Sequence, residues 1–321
     1  ASDVYKRQGH VVAPTYDYTD KGSTTVAGSP IFSTSPPTVA PNSGGGETAF
    51  VPNFYWAAAL DNGLHLGVGV NVPFGLSTEY DNGWIGRYHG LKAEITTINI
   101  NPAIAWKATD SVSLGIGLSY QYIDVDITNN LDSFVFCQAA LEVNPAADCS
   151  AYTFPGNAAQ DSQLGLTGDD SSIGWNIGVL FDISDKSRLG LAYRSAIKHD
   201  IEGTASYTLD DSGPGSLADA VAGTPFLSTT SLTAGAELPE TFSVSFVHDY
   251  NEKWTLLLDW TYTGWDSIGS IDIVQQGSLP GTDPSLELAF QNTNRLAIGG
   301  HYKPGNNLSL IHISEPTRLQ V

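Results

Sequence analysis

Methionine is absent from the 321 residues. Lysine and arginine number only 14 against 34 acidic residues, a formal net charge of -20. So few cations cannot neutralise a phosphate backbone, which excludes nucleic acid as a partner. Charged residues make up 15% of the chain, well below the roughly 25% of soluble proteins. No apolar run reaches the length of about 18 residues that a membrane-crossing helix needs, so a bundle of such helices is excluded. Plentiful residues point elsewhere. There are 33 Gly, and aromatics reach 10% with 7 Trp, 14 Tyr and 12 Phe, too many for intrinsic disorder. Few charges with many glycines and aromatics suggest an all-β chain with one apolar face, the profile of an antiparallel transmembrane β-barrel.

Strict alternation carries this reading. Leu64, Leu66, Val68, Val70 and Val72 alternate with His65, Gly67, Gly69, Asn71 and Pro73. Ile98, Ile100, Ile104 and Trp106 do so in the next segment, and Leu114, Ile116, Leu118 and Tyr120 in the one after. Period 2 puts each apolar set on one sheet face. About ten strands are expected, near 10–19, 50–60, 64–78, 91–107, 111–128, 172–183, 187–204, 239–249, 253–268 and 289–303. Short turns such as Asp61-Asn62-Gly63, Thr109-Asp110 and Ser184-Asp185-Lys186 alternate with long polar segments, the longest at 129–171. Short turns on one side and long loops on the other are the rhythm of an outer-membrane barrel. Trp106, Trp254 and Tyr302 near strand ends are expected in the interfacial girdles.

If the apolar face meets lipid, the other lines a lumen. That face carries Gly67, Gly115, Gly117, Gly178, Gly190 and Ala192, which let another element approach the wall. Parity puts Arg194, Lys198, Arg295, His301 and Asp259 inside. A cation in an apolar-walled passage suits a carboxylate head group, so Arg194, Lys198 and Arg295 are the candidate ligand-binding residues. The competing reading pairs these arginines with Asp259 or with plug backbone.

Several stretches resemble the FadL-type family of outer-membrane long-chain fatty-acid transporters, which includes importers of aromatic hydrocarbons. They are Asn71-Val72-Pro73-Phe74-Gly75-Leu76, Trp84-Ile85-Gly86-Arg87-Tyr88, Asn99-Ile100-Asn101-Pro102, Leu189-Gly190-Leu191-Ala192-Tyr193-Arg194-Ser195, Leu238-Pro239-Glu240-Thr241 and Asn292-Thr293-Asn294-Arg295. The resemblance implies a barrel of about 14 strands with an N-terminal hatch inside it. It implies passive uptake of a long-chain fatty acid or aromatic hydrocarbon and sideways release near a kinked third strand. Here Pro73, Phe74 and Gly75 are the lateral-gate positions, since Pro lacks an N–H and Gly weakens a strand. A general porin for small polar solutes is the alternative. Expected surroundings are outer-membrane lipid and lipopolysaccharide, with the whole protein a monomer.

Residues 1–8 and 308–321 break the pattern and are expected to be non-native tails around a partial barrel at 9–307. Such a piece, with open edges, is not expected to transport by itself. Cys137 and Cys149 lie in the longest loop, where an exported pair is expected to form a disulfide. With no nearby His they fall short of a zinc set. From 108 to 185 there are 11 acidic residues and no Lys or Arg. A solvated, repulsive surface explains this, with divalent-cation binding as the alternative. No HExxH, GxSxG or Walker loop is present, so no enzyme activity, catalytic residue, metal or cofactor is expected.

Overall fold

The computed structural model describes residues 3–22, 42–60, 63–275, 285–305 and 308–319. One antiparallel sheet dominates it. Its main path runs Asp3–Val12, Ala49–Ala59, Leu64–Asn71, Lys92–Lys107, Val112–Leu131, Ser162–Ser184, Ser187–Arg194, Thr241–Asp249, Trp254–Thr263, Thr293–Gly305 and Leu308–Leu319. The path follows sequence order, as in an up-and-down barrel wall, with shorter strands branching from it. Among the described residues the first and last strands are not paired, so the wall is open. The residues expected to be tails supply both edges: Asp3 pairs with Ala58, and Ser314 with Ile298.

The faces of this wall are inverted relative to a soluble sheet. Leu114, Ile116, Leu118 and Tyr120 are exposed, whereas Ser119 and Gln121 between them are fully buried. Ile98, Ile100, Ile104 and Trp106 are exposed beside buried Thr97 and Asn99. An apolar exterior over a polar interior suits lipid outside and protein or water inside.

The pattern reverses at one height. On Val112–Leu131 the outward set turns from Tyr120 to Asp124 and Asp126, and the inward set from Gln121 to Ile123, Val125 and Ile127. Ile98 pairs with Tyr122, and Tyr122 with Ser171, so neighbouring strands change polarity together. Above this line the sheet encloses an ordinary apolar core that includes Ile123, Leu164, Leu166, Ile201, Leu232 and Ile273. Each such side chain contributes roughly 1.5–3 kcal/mol by leaving water. Below it, the apolar band from Ile98 to Trp106 spans roughly 27 Å along the strand. Trp106 lies at its far end, and so does Trp254, packed at 4.5 Å and tilted by 30° against its register partner Tyr302. The line marks the outer surface of the bilayer, with Tyr120 and Tyr122 as its aromatic belt.

Several expected strands are placed differently. The third is two strands, Leu64–Asn71 and Gly75–Glu79. The seventh is two strands, Ser187–Arg194 and Ile197–Thr208. Ser162–Ser184 begins ten residues earlier than its alternation suggested, because its upper half faces water outside and an apolar core inside. The segment read as the longest loop holds the helix Ser133–Val143, and Thr230–Leu238 is a strand within another. Residues 61 and 62 of the first short turn lie outside the described residues.

Two substitutions separate lipid from water as the outer solvent. Ile116→Arg, in the exposed apolar band, should cost ~2–4 kcal/mol in a bilayer. Thr204→Arg, exposed above the line, should stay within about 0.5 kcal/mol of the parent. Denaturant titration in lipid vesicles measures both, and equal costs would remove the line.

Candidate functional site

The wall is interrupted at residues 72–74. Asn71 pairs with Asn99, and pairing resumes at Gly75 with Thr96. Four steps on one strand therefore face three on the other, which is a β-bulge. Pro73 brings no N–H to the ladder. Thr97, fully buried, patches the break. Its Oγ1 accepts from Phe74 N at 3.0 Å and donates to Phe74 O at 2.6 Å. Asn99 Nδ2 donates to Asn71 Oδ1 at 3.0 Å just beneath.

Toward the preceding strand the break is wider. Pairing stops at Phe54 with Val70 and returns only as a single bridge between Gly46 and Thr78. Eight steps separate the two ends on each side, so the register is kept across the interruption. Among the described residues, 47–53 and 71–77 form no ladder with each other, and prolines stand on both banks, at 52 and 73. The result is a gap in the strand pairing of the wall. Phe74 turns inward there, edge-on to Trp265 at 5.7 Å.

A cavity of about 500 Å³ lies inside the membrane-level wall. Small residues form much of its lining, including Ala57, Gly67, Ala105, Gly115, Gly178 and Ala192. Its polar lining includes His65, Asn176, Arg194, Thr241 and Ser243. Arg194 stands directly opposite Asn176 on one neighbouring strand and Thr241 on the other. Asn176 lies over Gly117, where a Cβ would come within 2.8 Å of its amide oxygen, so a larger residue there would displace the amide.

The three expected ligand-binding residues part company. Arg194 lines the cavity. Arg295 donates to Asp259 at 3.1 Å, and Asp259 also accepts from Ser245 at 2.7 Å; this is the paired arrangement the sequence left open. Lys198 is not inside. Its side chain is 69% exposed and 3.8 Å from Asp200, a surface pair worth about 0–1 kcal/mol. A bulge explains the correction. From Arg194–Asn176 to Glu202–Asp169 there are eight steps on one strand and seven on the other. One extra residue near Ser195 reverses which face every later side chain takes. His199 moves inside instead, fully buried between Asp170 (2.8 Å) and Gln121 (3.2 Å).

Above the line a cap closes over the core. Asp132 caps the helix Ser133–Val143 through Phe134 N at 3.1 Å, and its second oxygen takes Gly156 N at 2.8 Å. A disulfide joins Cys137 to Cys149. Arg87, fully buried, ion-pairs with Asp161 and donates to Tyr88 Oη and to the carbonyls of Trp84 and Gly156. This ties residues 80–91 to the long loop. Burial, outweighing Arg87, holds the Asp161 carboxyl above the usual carboxylate range. Burial and then Asp161 raise the Tyr88 phenol, and burial with the bond to Asp210 pushes Tyr152 up to about 12. Asn176, Thr97 and Arg87 were not singled out as site residues by sequence. For Asn176 a signal existed: a lone amide between Gly174 and Gly178 on the inward face.

An antiparallel wall with an apolar exterior, a polar lumen and aromatic girdles defines a transmembrane β-barrel protein of the bacterial outer membrane. The chain belongs to the outer membrane protein transport protein family (OMPP1/FadL/TodX), which it matches over residues 9–310. It is 27% identical to outer membrane protein P1 of Haemophilus influenzae over 274 residues, 82% of this chain and 55% of that one. A long-chain fatty acid transport protein of Escherichia coli is 26% identical over 79% of this chain and 57% of its own. The chain thus spans little more than half the length of these relatives. Among solved structures, a Pseudomonas aeruginosa FadL homologue superposes with a TM-score of 0.73 at 21% identity, covering 98% of this chain and 71% of that one. The Ralstonia pickettii toluene transporter TbuX gives 0.63 at 14%, covering 98% and 78%.

Arg87→Ala should destabilise the cap by ~3–5 kcal/mol, because Asp161 is left buried and unpaired. Arg87→Met with Asp161→Leu should recover much of that in the same denaturant titration. Alkaline titration gives a second check. Both tyrosines ionise near 10 when unfolded and later when folded. Their contribution is therefore complete below about pH 10 and is lost as pH rises toward about 12 for Tyr152. Tyrosinate absorbance should rise together with loss of the cap helix signal; ionisation near 10 without unfolding would contradict this.

Proposed function

We propose that the chain forms part of the wall of an outer-membrane channel for passive uptake of hydrophobic compounds, long-chain fatty acids or aromatic hydrocarbons. The window beside residues 72–74 is the lateral exit. A gap in the strand pairing is the observation that carries the reading. Its register is kept on both sides, prolines stand on both banks and Thr97 bonds Phe74, which supports an exit from the lumen to the bilayer there. A solute that prefers lipid gains by leaving there; a polar solute does not. The names of the relatives, a long-chain fatty acid transport protein and a toluene transporter, support the same substrate class.

Pro73, Phe74 and Gly75 form the gate, with Phe74 its inward side. Arg194 meets the head group of an acidic substrate. Arg295, held by Asp259, shapes the wall. The disulfide stiffens the cap at the entrance. No catalytic step is part of this reading, and no cofactor. The working unit is the whole barrel as a monomer among outer-membrane lipid and lipopolysaccharide. Residues 9–307 are its share in this chain, with 1–8 and 308–321 as non-native tails; the family match runs from residue 9 to 310, agreeing with the first boundary and passing the second by three residues.

Deleting Pro73 in the full-length protein removes the extra residue, so that three steps face three on Lys92–Lys107, the bulge is lost and the kept register toward the preceding strand is upset. Uptake of labelled fatty acid by cells lacking another transporter should then fall to background, with the barrel still folded in the membrane. Undiminished uptake would rule out exit through this window.

A further inference from the structure

We infer that Arg194 and Asn176 together form a carboxylate-binding station at the lumen wall, one that tells acids from neutral hydrocarbons. The inference rests on the channel reading above and narrows it. The two residues are register partners on adjacent strands and both line the cavity. Among the described residues Arg194 has no hydrogen-bond or ion-pair partner. The Asn176 Nδ2 is buried and likewise lacks a partner. A cation and an amide donor left unpaired in a small-residue cavity carry a desolvation cost that a bound anion removes.

The neighbouring arginine sharpens the contrast. Arg295 sits on the same face with Asp259 against it, and Ser245 and Thr261 complete that carboxylate's bonds. Among the described residues the wall therefore supplies a counter-ion for Arg295 and none for Arg194. Asp259 already has three donors, from Arg295, Ser245 and Thr261.

The donor geometry suits a planar carboxylate. A guanidinium offers two parallel N–H groups to its oxygens. The amide across the strand pair supplies one more N–H, so the head group can be held from two sides. The rest of the lining has little to offer a second charge, but Ala57, Ala105, Gly115 and Ala192 leave room for a hydrocarbon tail. The occupant is thus a monocarboxylate with an apolar chain. A neutral hydrocarbon fills the same space without using either donor.

The test compares palmitate with methyl palmitate, which share a chain and differ in charge, binding to the full-length protein in detergent. Arg194→Gln keeps a polar end on a shorter side chain and removes the charge; Asn176→Leu keeps the volume approximately and removes the donor. Each should weaken palmitate by about tenfold and leave methyl palmitate unchanged. Arg194→Lys, which keeps the charge but loses the fork, should fall between. Loss of both ligands together would mean a disturbed wall and overturn the station. Unchanged binding of both, with a lowered melting temperature in Arg194→Gln, would mean that Arg194 holds protein rather than ligand, and would also overturn it. If the parent binds neither compound, the channel reading fails first and the station with it.

Discussion

Inside a bilayer a backbone N–H or C=O has no water to bond to, and an unsatisfied one costs several kcal/mol. Everything else in this wall follows from that constraint. Strands must pair with neighbours on both sides, and the main path of the sheet follows sequence order because short turns make that pairing easiest. Breaks are possible only where something else takes the bonds. At the third strand the buried Thr97 hydroxyl does so, bonding both the N–H and the carbonyl of Phe74. Pro73 has no N–H to lose. The bulge in the third strand is therefore built from a proline, a threonine and one extra residue.

The second organising fact is that the chain lives in two outer solvents. Below the tyrosine belt the outside is lipid, and the strand hides amides such as Asn99 and Gln121 while showing Ile98, Ile100 and Leu118. Above it the outside is water, and the same strands hide Ile123 and Leu164 while showing Asp124 and Glu202. No strand needs to end for this to happen. The side-chain alternation simply exchanges its two sets, and because paired positions exchange together, the switch forms a line across the wall. The apolar core, the disulfide and the Arg87 ion pair all lie above that line, where burial drives folding as it does in a soluble domain.

Much of the wall was legible from sequence because period-2 alternation is local. The segments around Leu64, Ile98, Leu114, Ile173 and Trp254 identified both strand and face. Failures came where the alternation changed sign. Residues 162–171 read as loop because polar residues occupy their outward positions, and no residue by itself says whether the solvent outside is lipid or water. Lys198 was assigned inward by counting from Leu189, which assumes an unbroken strand. One extra residue near Ser195 reversed the count and put His199 inside. The cap helix Ser133–Val143 stands in a region read only as a long polar loop, and its burial depends on partners distant in sequence, such as Leu217.

By itself, then, the sequence determined the class of protein: few charges, alternating apolar strands, short turns against long loops, and the stretch around Pro73 that resembles a known transporter family. These are properties of composition and of neighbouring residues. Only the tertiary structure set a carboxylate, Asp259, against Arg295. Arg194 and Arg295 look alike along the chain. Their difference lies in what strand pairing sets beside them, Asn176 and Thr241 for one, Asp259 and Thr261 for the other. Cross-strand neighbours are chosen by register, and register is a property of the folded sheet.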